Sequence, residues 1–104
     1  MCNLDKELEQ TIFQIIASSG ESRVKAFEAF EAFQAGDFEK RTKFLKEADE
    51  LASNANKLLF NLVHREAKGE KIPISILLLH ACDILMNAIT TRELIERLTT
   101  NPKE

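Results

Sequence analysis

Residues 73–98 read PISILLLHACDILMNAITTRELIERL, and the fold turns on how this segment is covered. From Ile74 to Ile89 apolar residues fall on nearly every side of a helix, a pattern tolerated only where other helices or other subunits surround it. Into that segment the sequence sets His80, Asp83 and Asn87. Spacings of three and four bring them onto one helix face. Polar groups on a covered helix cost free energy unless partnered, so this stripe is the first place to look for chemistry.

Upstream, the segment from about Asp5 to Ala35 has helical periodicity. Leu8, Ile12, Ile15 and Ile16 form one apolar stripe, and Val24, Phe27, Phe30 and Phe33 form a second. Ser18-Ser19-Gly20-Glu21 lies between them and favours a kink over a break, because Gly loosens the backbone and Ser competes for its hydrogen bonds. The phenylalanine row reads as core. Gly36 supplies a C-terminal stop and Asp37 an N-cap, so a tight hairpin leads into a second, antiparallel helix over roughly Phe38 to Lys68. Its seam is Leu45, Ala48, Leu51/Ala52, Ala55, Leu58/Leu59 and Leu62, and its other face is a solvated mixture of charges. Gly69 to Ile72 forms the second connection, and Pro73 suits the first turn of helix three. Thr99-Thr100-Asn101-Pro102 ends that helix. The reading is all-α: an antiparallel three-helix bundle in one domain, residues 1–104, whose surplus apolar surface on helix three calls for a dimer or trimer.

Composition narrows the function. The net charge is −3 with acids and bases interleaved, so no basic stripe of the kind that tracks a phosphate backbone is present, and nucleic acid is an unsuitable partner. The opening residues lack the pattern of a signal peptide, and His80 and Asp83 interrupt the one candidate membrane span. A cytoplasmic protein is expected, with Cys2 and Cys82 reduced and Cys82 packed as a small core hydrophobe. His64, among charged residues near the end of helix two, is assigned no role.

For the stripe itself, the residues leave several readings open. His80 can be a satisfied core histidine, a nucleophile that carries a group covalently, a metal ligand together with Asp83, or a general base; the last lacks an assembled Ser, Cys or carboxylate partner. Asp83, on a helix that faces other subunits, would be repelled by its own symmetry copies unless it bound a proton or shared a cation. A hydrogen bond to a neighbouring side chain is the plainer alternative.

The run His80-Ala81-Cys82-Asp83-Ile84-Leu85-Met86 resembles the His-Ala-Gln-Asp-His-Leu-Met signature of the lactose/cellobiose-type enzyme IIA of the bacterial sugar phosphotransferase system. Ser19-Gly20-Glu21-Ser22-Arg23, Ala35-Gly36-Asp37-Phe38, Glu66-Ala67-Lys68-Gly69 and Thr91-Arg92-Glu93-Leu94-Ile95 resemble further segments of that family, in order, across nearly the whole chain. The resemblance implies a protomer that trimerises into a nine-helix bundle. It implies that His80 accepts a phosphoryl group from the histidine phosphocarrier protein and passes it to a cysteine of enzyme IIB, in the uptake of a β-linked sugar. Asp83 matches the family's aspartate that holds a metal ion, Mg²⁺, at the trimer axis. Contact with the membrane is then indirect, through the membrane component of the system.

Four positions depart from the family pattern. Ile84 replaces its second signature histidine and Cys82 its glutamine, while Asn56 and Leu59 stand where many members carry a histidine and a glutamine on helix two. Phe27, Phe30 and Arg23 are candidates for a docking surface. The reading from another functional class is a non-catalytic helical oligomer acting as an interaction or regulatory module.

Overall fold

The computed structural model describes residues 6–100 and contains three helices, α1 (Lys6–Gln34), α2 (Phe38–Ala67) and α3 (Ile76–Leu98). They form an elongated up-down-up bundle, 51 × 25 × 16 Å. Asp5, the expected start of α1, and Cys2 lie outside the described residues.

The first hairpin is built as its sequence indicates. Gly36 adopts φ +80°, which lets the Gly36 amide reach the Phe33 carbonyl at 3.0 Å and the Asp37 amide reach the Ala32 carbonyl at 2.9 Å. This closes the last turn of α1. Asp37 then starts α2 by accepting a hydrogen bond from the Lys40 amide on its Oδ1 at 3.1 Å. The Phe33 and Phe38 rings meet edge-on across the turn, 5.7 Å between centroids.

Gly69, with φ +100°, ends α2 in the same manner. The Glu70 amide bonds the Arg65 carbonyl at 3.1 Å, and the Glu70 carboxylate receives the Arg65 fork at 2.8 and 2.6 Å. That hydrogen bonding holds the Glu70 carboxyl below its ordinary pKa. Helix α3 starts later than expected. Pro73 lies in the connection rather than in the first helical turn, because Ser75 takes the cap: its backbone is extended (φ −138°, ψ 161°) and its Oγ accepts from the Leu78 amide at 3.1 Å.

Packing confirms the α2 seam and corrects the α1 one. Leu45, Ala48, Ala52, Ala55 and Leu62 are buried as the spacing requires. At one end Leu8, Ile12 and Ile15 meet Ala55, Leu62, Ala81 and Leu85; at the other Ala26 and Ala29 meet Leu45, Ala48 and Ile95. The phenylalanine row is therefore not the core. Ala26, Ala29 and Ala32 face inward, Phe30 and Phe33 are half-buried, and Val24 and Phe27 are exposed. Alanine lets α2 approach α1 more closely than a phenyl ring permits, so the rings lie on the flank.

Ser18 to Glu21 does not interrupt α1, which runs unbroken. One turn on, Ser22 Oγ donates to the Ala48 carbonyl at 2.6 Å and links α1 to α2 in the interior. A second polar link ties α2 to the end of α3. Arg41, nearly buried, donates from Nε to Thr99 Oγ1 and from Nη2 to the Glu96 carbonyl, both at 2.9 Å, while Thr99 Oγ1 donates to the Ile95 carbonyl at 2.6 Å. A cation thereby caps the negative end of the α3 dipole.

Candidate functional site

Within one chain α3 buries only a narrow strip, of which Ala81, Leu85, Ala88 and Ile95 are the fully buried members. The opposite side faces outward. It carries Ile76, 87% exposed, followed by Leu79, Met86, Leu94 and Leu98, each more than half exposed. The stripe lies on this outward side: His80, Asp83 and Asn87 are all exposed. The sequence places these residues on a covered helix; in the single chain nothing covers them, because the bundle uses only one side of α3.

His80 stands in the second turn of α3, positioned by the Ser75 cap behind it and by Ala81 and Leu85, which anchor the adjacent side of the helix in the core. Among the described residues, no hydrogen bond or ion pair engages the His80 ring, the Asp83 carboxylate or the Asn87 amide. The imidazole is open to a visiting group. Asp83 follows one turn later on the same side, and no three His, Cys, Asp or Glu side chains converge anywhere among the described residues. One chain offers a cation a single carboxylate.

Of the departures from the family pattern, Cys82 and Ile84 lie on α3 next to Asp83, and Asn56 and Leu59 lie on α2. Cys82 is a free thiol and half-buried, less enclosed than a core residue. Ile84, Asn56 and Leu59 are half-buried as well, Leu59 packing against the core cluster. Neither Ile84 nor Leu59 has a side chain that hydrogen-bonds an imidazole. His64 is exposed at the end of α2, with the Phe60 ring 6.5 Å away.

Beside the stripe, a shallow apolar groove of about 310 Å³ runs between α1 and α3, walled by Phe27, Phe30, Leu94 and Leu98 with Asn87 at its margin. Arg23 stacks over the Phe27 ring at 5.4 Å. The groove escapes a periodicity analysis because its walls come from the flanks of two helices. Its signal in the sequence is the surplus of large apolar residues over inward positions.

The family described as "PTS system, Lactose/Cellobiose specific IIA subunit" matches residues 10–101. The chain belongs to this family. Its relatives include the lichenan-specific phosphotransferase enzyme IIA component of Bacillus subtilis (strain 168), 42% identical over 91 residues that make up 88% of this chain and 83% of the relative. The crystal structure of the cellobiose-specific enzyme IIA from Bacillus anthracis superposes with a TM-score of 0.86 at 38% identity, covering 90% of this chain and 86% of that one. The IIA(Chitobiose) component of Escherichia coli, solved in complex with HPr, is similar at a TM-score of 0.72 and 26% identity, over 91% and 92% of the two chains. This IIA subunit is thus a phosphotransferase component of a sugar phosphotransferase system, built on the helical fold of its relatives. Among its described residues no helix is long and apolar enough to cross a membrane.

Proposed function

We propose that this IIA subunit is a phosphohistidine carrier in which His80 is the transient phosphoryl site. The observation that carries the reading is an exposed imidazole, free of partners among the described residues, on the segment that resembles the family signature. In the first step a ring nitrogen of His80 attacks, through its lone pair, the phosphorus of the phosphorylated histidine phosphocarrier protein. The donor's phosphorus–nitrogen bond breaks and its imidazole leaves with the electron pair. In the second step a cysteine thiolate of enzyme IIB attacks the same phosphorus, and the His80 nitrogen recovers its electron pair. Both steps exchange one reactive phosphorus bond for another, so the protein's task is positioning and shielding. The E. coli relative's complex with HPr supports the donor. The lichenan, cellobiose and chitobiose of the relatives' names point to a β-linked sugar.

The same reading assigns the Asp83 face of α3 to the threefold axis of a homotrimer, a nine-helix bundle, with His80 at the margin of the covered face, where a partner protein reaches it. Three Asp83 carboxylates then meet, and a divalent ion, Mg²⁺, suits three hard oxygen donors because it prefers octahedral oxygen coordination and keeps several waters. The residues fit that ion only as an assembly, one Asp83 from each chain. The ion supplies charge neutralisation at the axis. Phosphorylation of His80 adds roughly two negative charges one helical turn from Asp83, which makes that neutralisation more valuable. The partner-transfer test is direct. Phosphorylated subunit, freed of donor, is mixed with candidate IIB proteins, and the reading requires a phosphocysteine on one of them. A subunit that takes up no phosphoryl group from the general components, or delivers none to any IIB, is an interaction module instead.

A further inference from the structure

We infer that α1 carries a hinge at Ser19-Gly20, with a bent state in addition to the straight helix described above. In the bent state the Ser19 hydroxyl gains a hydrogen bond, and the half of α1 that supports the His80 turn shifts against α3. The hinge rests on the fold alone; its bearing on His80 rests on the carrier reading above. Ser19 is fully buried, and its Oγ has no hydrogen-bond partner among the described residues. A buried hydroxyl left unpaired is destabilising. Gly20 beside it is half-buried, and a Cβ placed there would meet no atom within 4 Å. Packing within the chain therefore does not demand a glycine, although glycine weakens a helix interior relative to alanine.

The core divides at the same level. Leu8, Ile12 and Ile15 belong to the cluster that contains Ala81 and Leu85, whereas Ala26 and Ala29 belong to the one that contains Ile95. Between the clusters the buried residues of α1 are Ser18, Ser19 and Ser22, and α2 and α3 contribute Ala52 and Ala88. Small side chains make few dispersion contacts, so this layer resists relative motion less than the clusters on either side of it. The half of α1 beyond the hinge is fixed. Ser22 Oγ bonds the Ala48 carbonyl at 2.6 Å, the turn at Gly36 and Asp37 joins α1 to α2, and Arg41 ties α2 to the end of α3. The half before it, Lys6 to Ser18, packs through Leu8, Ile12 and Ile15, and this is the half that swings.

Sharp bends in helices concentrate at Gly/Ser pairs and where a side chain enters the backbone ladder. A bend at Ser19-Gly20 lengthens the bonds from these two amides to the carbonyls one turn back, at Ile15 and Ile16. Ser19 Oγ then donates to one of those carbonyls, an arrangement that accompanies bent helices. The straight state keeps the backbone bonds and strands the hydroxyl; the bent state loosens them and pairs it. Gains and losses of similar size leave the two states close in free energy, the condition for a populated switch. Ala81 and Leu85, which anchor the His80 turn, pack against the moving half.

Methyl relaxation dispersion on the full chain, beside Ser19→Ala and Gly20→Ala, tests the hinge. Both variants suit the straight helix, since alanine is the strongest helix former and a Cβ at position 20 has room. The wild type should show microsecond-to-millisecond exchange at the methyls of Ile12, Ile15, Ala81 and Leu85. Gly20→Ala should lower the population of the second state about fivefold. Ser19→Ala should lower it about tenfold, because it removes both the stranded hydroxyl of the straight state and the added bond of the bent one. Flat dispersion in the wild type, or exchange of equal amplitude in all three proteins, overturns the hinge. Exchange at Ile12 and Ile15 with Ala81 and Leu85 silent overturns its bearing on the His80 turn. Neither result depends on whether His80 takes up a phosphoryl group, which labelling of His80→Gln decides separately.

Discussion

Replacing Leu94 by Ser separates the stability of the protomer from that of the assembly. Leu94 is 54% exposed within one chain, so slightly less than half of its burial is made in the bundle. Complete burial of a leucine contributes about 1.5–3 kcal/mol, which leaves about 0.8–1.6 kcal/mol per chain to be gained when the outward side of α3 is covered. Over three chains the loss in Leu94→Ser is about 2.5–5 kcal/mol of trimer stability. At about 1.4 kcal/mol per factor of ten, the association constant falls by roughly two to three and a half powers of ten. The protomer loses about 1 kcal/mol through the buried remainder of the side chain. Sedimentation velocity over a dilution series reads the first quantity, and urea unfolding of dilute, dissociated protein reads the second. An unchanged sedimentation profile, alongside the small protomer loss, refutes the assignment of this side of α3 to a subunit interface.

Arg41→Met removes two charge-assisted hydrogen bonds from the end of α3, each contributing about 1.5–3 kcal/mol, so urea unfolding should show a loss of about 3–6 kcal/mol and amide exchange at Thr99 should quicken. A loss below about 0.5 kcal/mol, typical of an ordinary surface change, contradicts the tie. Glu70 has its pKa lowered by Arg65 in the folded chain, so its contribution is fully present above the unfolded carboxyl value and disappears as pH falls through the lower folded value. Amide exchange at Glu70 in acid should therefore speed up in the wild type and be insensitive to that titration in Glu70→Gln; identical profiles sink the claim. Asp83→Leu should abolish divalent-ion binding and retain trimers, since an apolar residue removes the repulsion that the ion offsets. Stoichiometric metal in that variant removes Asp83 from the ligand set.

Much of the bundle is legible in the sequence because its signals are local. Gly36 and Asp37 mark a turn whose bonds close within five residues, and the α2 seam repeats at a spacing that only a helix uses. The start of α3 is less legible, since Pro73 and Ser75 both suit a helix entrance and only the tertiary course of the connection decides for Ser75. This half of the α1 core is not legible from size: hydrophobicity favours Phe27, Phe30 and Phe33, whereas close helix contact favours Ala26, Ala29 and Ala32. The Arg41–Thr99 tie joins residues 58 apart and has no local signature. At the candidate site, the stripe of His80, Asp83 and Asn87 is legible from spacing alone. Its exposure is not, because a sequence reports that a helix must be covered without saying whether its own chain or another copy does so.

The most direct measurement of the central claim is acid-labile labelling. The chain is incubated with labelled phosphoenolpyruvate and the general phosphotransferase proteins, next to His80→Gln and His64→Gln. The account predicts one acid-labile label per chain in the wild type and in His64→Gln, and none in His80→Gln. Label that persists in His80→Gln, or a wild type that never acquires it, contradicts the account.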